Sequence, residues 1–289
     1  MNHLKEIFFA PEFAFLRQAF LVSAAASFPF GIIGTFVVVR RIGYLASAIS
    51  HCAFGGIGLG IFFQQLAAAA GFSTLAFFLN PFPAAVVFSI LSAVLIGVVR
   101  YSAKEREDAV IGSIWASGMA VGILFLDKTP GYHSVEAYLF GEILLTSNTG
   151  LLIVGVLSLG ILLVTGLFFK RFEAICFDEE YVTLRGLPAK FYFQFLLVLV
   201  ALIVVLMIQL VGVILVIALL TLPASIAGRL TFRLFPMAVL ATGLCFVLSW
   251  TGLILSSRFD TAASPTIILV SAAAYVLVLL TQFLYARIR

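Results

Sequence analysis

Long apolar runs alternate along this chain with short clusters of charged, proline and glycine residues. Within each run the hydrophobic residues are continuous. That pattern suits α-helices of about 20 residues crossing a bilayer and excludes a β-barrel, whose strands alternate apolar and polar positions. The spans predicted are 16–39, 43–63, 82–99, 109–126, 146–169, 191–208, 211–228, 235–256 and 265–286. Their junctions carry turn chemistry at Asn80-Pro81-Phe82-Pro83, Thr129-Pro130-Gly131 and Gly186-Leu187-Pro188. The run from Phe193 to Ala227 exceeds one span and falls short of two with a turn. Basic residues flank it on both sides, which requires an even number of crossings, so two short spans are drawn meeting near Gln209–Gly212. An eight-span count, or a helix broken near Pro223, is the alternative. The fold class expected is therefore an all-α polytopic membrane protein, a bundle of eight or nine transmembrane helices. It forms a single transmembrane domain over 1–289, with residues 1–14 as an interfacial segment.

Composition agrees. Hydrophobic residues make up 63% of the 289 and charged residues 10%, too few charges to cover a soluble domain. The three cysteines, Cys52, Cys176 and Cys245, are odd in number and widely spaced, so free thiols are expected. The first apolar run is already of spanning length and lacks a small-residue cleavage site, so it is expected to stay uncleaved. The net charge of +4 matters through its placement, and no nucleic-acid partner is expected. With the Arg40/Arg41 loop in the cytoplasm, only Lys5, Arg17, Lys128 and Arg258 of the 17 basic residues fall outside. The positive-inside rule then puts the N-terminus outside and the C-terminus in the cytoplasm.

Against this background, His51 stands out. It lies in Arg40–Gly60, RRIGYLASAISHCAFGGIGLG, and is the one ionisable side chain in the central part of any predicted span. At 1.5 Å of rise per residue it sits roughly 15 Å along its helix, near the middle of the hydrocarbon layer. An ionisable group at that depth marks a transport site by default. A metal ligand, a proton carrier and a packed polar residue are the three roles open to it. Cys52, one residue on, points about 100° away and is read as packing. Gly56-x-x-x-Gly60 and Gly118-x-x-x-Gly122 each place small residues on one helix face, where two backbones can approach.

The loop 169–190 carries a second signal. Asp178, Glu179 and Glu180 supply an N-cap and first-turn acids, Arg185 a last-turn base, and Gly186 with Pro188 a stop. The short cytoplasmic helix so defined shows Tyr181, Val182 and Leu184, apolar residues that suit a protein partner. The mixed-charge stretch 100–108 reads as a solvated loop or helix start. Outside lie Asp127, Glu136, Glu142 and Asp260 with few cations, an entrance that could concentrate cations. No G-x-x-x-x-G-K-[ST] loop, H-E-x-x-H, G-x-S-x-G or paired-aspartate pattern occurs, which argues against an ATP motor or an enzyme.

Four stretches in order carry a resemblance over most of the chain. The first is Gly34–Arg41 leading to Tyr44-Leu45 and Ser50-His51. The second combines Arg106–Gly112 with Tyr138-Leu-Phe-Gly141. The third joins Leu184–Pro188 to Gln209–Gly212 and Leu222-Pro223-Ala224, and the fourth is Gly252–Ser256 with Asp260 and Ser264-Pro265. At these residues the sequence resembles the permease subunits of zinc- and manganese-type ABC importers. The resemblance implies a homodimer in the bacterial inner membrane, two cytoplasmic ABC ATPase subunits and an external metal-binding protein. It implies a divalent metal ion as cargo, with no cofactor bound by this chain. It makes His51 the residue of the metal path. Asp178, Glu179, Tyr181, Val182, Leu184, Arg185 and Gly186 become the ATPase-coupling helix, while the cation entrance, read from the outer acids, is placed at Asp260 and Glu142. The chain departs from the family pattern at Ser47, where Asp is usual one turn before the histidine, at Ala46 for glycine and at Gly55 for proline. The serine hydroxyl offers no compensating charge to a dehydrated divalent ion. A proton-coupled secondary transporter using His51 is the alternative function.

Overall fold

The computed structural model describes residues 14–71, 80–102, 107–131, 134–141, 143 and 148–288. The interfacial segment expected over 1–14 thus falls almost wholly outside the described residues, as do Glu142 and residues 103–106 of the mixed-charge stretch. The described residues form eleven helices. They are α1 (Ala14–Val39), α2 (Gly43–Ala69), α3 (Pro81–Ser102), α4 (Glu107–Lys128), α5 (Val135–Phe140), α6 (Asn148–Phe177), α7 (Glu179–Leu184), α8 (Ala189–Val211), α9 (Val213–Leu230), α10 (Leu234–Phe259) and α11 (Ala263–Ile288). Among them, nine are long and apolar enough to cross a membrane, the number read from the sequence. The contested run is split where expected, because Gly212 adopts φ 85° between α8 and α9, a conformation open to glycine. Pro223 lies inside α9 without ending it.

The chain divides into two compact units. The first comprises 1–40, 140–168 and 210–289. In it α1 packs on α9 and α10, and α11 closes against both of those helices. Ala224, Ala227, Met237 and Ala241 form a buried cluster there, covered by Val38, Val39, Leu240 and Leu244. The break at Val211–Gly212 is fixed by two distant residues. Gly141, itself at φ 67°, lies flat against Val211 and Gly212, and the Ser264 hydroxyl donates to the Val211 carbonyl at 3.3 Å. Three of the stretches singled out in the sequence therefore meet at one turn.

The second unit comprises 41–139 and 169–209 and is organised on α2. Helix α2 packs along α3 on one side and α4 on the other, while α3 and α4 barely touch. Glycines make both contacts. A methyl group on Gly118 of α4 would stand 2.9 Å from the Cys52 backbone, and one on Gly55 2.6 Å from the Gly118 carbonyl. On the other face, Gly56 and Gly60 would each meet α3 at 2.7 Å, against the Ala84 carbonyl and the Pro81 Cα. Both G-x-x-x-G pairs thus mark real backbone approaches. Helix α3 opens on Asn80-Pro81: the Asn80 side chain accepts from the Phe82 amide at 3.3 Å, and proline at the first position loses no helical bond.

Gly118→Val forces carbon into backbone that cannot yield, and overpacking of this kind costs about 1–3 kcal/mol. The expected outcome is a lower thermal unfolding midpoint in detergent. Gly112→Ala, on the same helix with nothing within 4 Å, leaves the midpoint unchanged or raised.

Candidate metal path and coupling helix

Helix α2 carries Ser47 and His51 one turn apart on one face. The His51 Nδ1 lies 2.8 Å from the Ser47 carbonyl oxygen. A carbonyl only accepts, so Nδ1 carries a proton, and in the neutral form of the ring the lone pair lies on Nε2. The helix's own backbone thereby orients the imidazole and leaves Nε2 outside that bond. The ring is half-buried and meets Trp115 of α4, with centroids 5.1 Å apart and planes at 55°. Trp115 was not among the predicted site residues, although its signal was present: 115, 118 and 122 share one face of α4. Cys52 faces elsewhere, buried, with Sγ donating to the Ile114 carbonyl at 3.5 Å. It lines a furrow of about 180 Å³ between α3 and α4 with Ser92 and Ser117.

Among the described residues no three His, Cys, Asp or Glu side chains gather to hold an ion. The donors available around His51 are one imidazole nitrogen and, a turn away, the Ser47 hydroxyl. Asp260 belongs to the first unit. It caps α10 in the left-handed conformation, φ 51°, is exposed, and lines a hollow of about 240 Å³ with Ser256 and Thr261. Glu142, its expected companion, lies outside the described residues. In the second unit Tyr138 of α5 approaches Phe54 at 6.4 Å, and burial pushes its phenol pKa up.

The short helix expected between α6 and α8 folds as read, with two corrections. Asp178 is the N-cap of α7, its Oδ1 accepting from the Tyr181 amide at 2.8 Å. At the other end Gly186 takes φ 78°, its amide donating to Thr183 at 3.0 Å and that of Leu187 to Val182 at 3.2 Å. This is a Schellman closure. Arg185 is the C-cap and so follows the last turn, lying 5.1 Å over the Tyr181 ring. Val182 is not displayed: it is 3% exposed and anchors the helix inward, while Tyr181 and Leu184 are 50% and 82% exposed. A six-residue helix needs one apolar side chain turned in to stay docked, and Val182 is that residue. Glu179 is held by the Tyr101 hydroxyl at the end of α3.

These features can be set beside known proteins. The model of the ABC 3 transport family matches residues 12–282. This chain belongs to the ABC 3 transport family. It is the membrane subunit of an ABC transport system and not its ATPase. The family assignment sets aside the proton-coupled alternative. A metal transport system membrane protein of Chlamydia trachomatis is 34% identical over 93% of this chain and 90% of its own. The manganese transport system membrane protein MntC of Listeria monocytogenes is 28% identical over 91% of this ABC 3 chain and 89% of its own. In structure, the permease resembles PsaBC from Streptococcus pneumoniae, solved in complex with Fab. The TM-score is 0.81 at 28% identity, covering 96% of this chain and 94% of that one.

The caps of α7 carry a measurable share of its stability. Asp178→Ala removes the N-cap bond, at about 1 kcal/mol, and Gly186→Ala strains the left-handed turn by about 1–2 kcal/mol. Amide exchange over 179–187 is expected to quicken roughly five- to thirty-fold in each variant, and exchange in α2 to stay unchanged.

Proposed function

We propose that this chain is the permease of an importer for divalent transition metal ions, manganese foremost, and that His51 is a stopping place for the ion. The observation that carries the reading is the His51–Ser47 carbonyl bond, which leaves Nε2 as a lone pair held in fixed direction. Neutral imidazole suits zinc, iron and copper, whereas manganese draws more on oxygen ligands. The cargo class is supported by the metal and manganese transport named for the two relatives. The chain works as a homodimer with two cytoplasmic ATPase subunits and an external metal-binding protein. Its N-terminus lies outside a bacterial inner membrane and its C-terminus in the cytoplasm, as the basic residues favour. Tyr181 and Leu184 rest on the ATPase, and Asp260 with Glu142 draws cations to the outer mouth. ATP binding and hydrolysis in the partner move α7, and the path opens to each side in turn.

Ser47 sets the strength of the site. A carboxylate one turn from His51 would add a charged oxygen ligand, and a serine there favours brief residence over tight binding.

Uptake of manganese, zinc and iron isotopes into vesicles holding this chain and its ATPase tests the reading. Manganese entry that needs ATP is expected, and His51→Ala lowers it at least about tenfold with the complex intact. Ser47→Asp tightens metal binding about tenfold. Uptake indifferent to both substitutions would remove His51 and position 47 from the path.

A further inference from the structure

Movement of α7 has to reach the helix that bears His51, and side-chain contacts in the second unit supply a route. The last turn of α3 is unusually well tied. Tyr101, its penultimate residue, donates its hydroxyl to Glu179 in the first turn of α7. Its ring is held from two sides, with Phe193 edge-on at 5.8 Å and the Lys190 ammonium 5.2 Å away. Arg100, the residue before, lies 4.4 Å over the Phe193 ring. One turn deeper, Gly97 makes room for Gln194 of α8, whose amide donates to the Ala93 carbonyl at 3.0 Å. From there α3 runs along α2 with its start wedged against Gly56 and Gly60. A straight helix gripped at both ends transmits displacement, because packed elements shift as bodies and do not deform continuously.

We infer that Tyr101 is a positioning residue for transport, a strut whose bond to Glu179 carries the motion of α7 into α3 and so into α2. The inference rests on the proposed coupling role of α7. A phenol hydroxyl bonded to a carboxylate is charge-assisted, so it outlasts the loosening that accompanies a conformational step better than neutral contacts do. The carboxylate sits in the first helical turn, where the helix dipole also favours its charge, so the bond grips the same end of α7 that the Asp178 cap fixes. Motion could also travel by α8 and Gln194, and the two routes part company in a mutant.

The test uses hydrogen exchange on the whole complex of this chain with its ATPase, with and without ATP, read at two places. In wild type, ATP is expected to change exchange both at 179–187 and at the end of α3, 98–102. Tyr101→Phe keeps the ring and its stacking. It should leave the change at 179–187 intact and reduce that at 98–102 about tenfold, with metal moved per ATP falling while the ATPase still copurifies. Glu179→Gln keeps an acceptor but loses the charge and should reduce the coupling part-way, whereas Glu179→Ala should match Tyr101→Phe. The double variant should be no worse than either single one. An unchanged response at 98–102 in Tyr101→Phe would overturn the strut and assign the motion to α8. A wild-type α7 that ignores ATP would overturn the coupling role of α7, and the strut with it. Hydrolysis and transport falling together in Tyr101→Phe, at constant ratio, would reduce Tyr101 to a fold-stabilising residue and also overturn it.

Discussion

Backbone contact between α2 and its neighbours is the constraint on which the second unit depends. Lipid chains are as apolar as leucine, so helices in a bilayer gain little from hiding hydrophobic surface and associate through close packing. Glycines at 55, 56, 60 and 118 let α2 lie against α3 and α4 at distances no side chain would permit. Helix α2 is gripped from both sides, and His51 and Ser47 inherit their place from that grip. The first unit uses the same device at Gly31, Gly34 and Gly252, against Thr242, Leu220 and Ile267.

A second constraint is the cost of polar groups in hydrocarbon. The chain meets it locally. Serine and threonine hydroxyls turn back on the carbonyls of their own helices, as at Ser27, Thr35 and Ser50. His51 obeys the same rule with its Nδ1, held on the Ser47 carbonyl of its own helix.

The region around α7 follows different physics. There Arg100, Arg171 and Lys190 lie over aromatic rings, Arg171 also donates to the Tyr192 hydroxyl at 2.7 Å, and α7 is closed at both ends by caps. Contacts of this kind hold well in a wet, charged boundary, where cation–π pairs and capping bonds keep their worth. The outcome is a short rigid helix offering Tyr181 and Leu184, joined to the membrane helices by specific bonds.

Much of this was legible in the residues. Seven apolar runs gave one span each because span length is set by the bilayer, and the basic residues flanking the run 193–227 called for two more, which part where Gly212 takes a turn open to glycine. The caps of α7 were readable for the same reason: they are local, made by residues within a few positions of one another. What needed tertiary structure was everything decided across helices. Sequence spacing placed small residues on one face of α4 without saying that α2 would fill it, and it gave Val182 to the outer surface although the docked helix turns it in. The meeting of Gly141, Val211 and Ser264, the tilted contact of Trp115 with His51 and the bond from Tyr101 to Glu179 join residues far apart in the chain. Periodicity orients a side chain about its own helix axis, but only packing decides which neighbour it finds there.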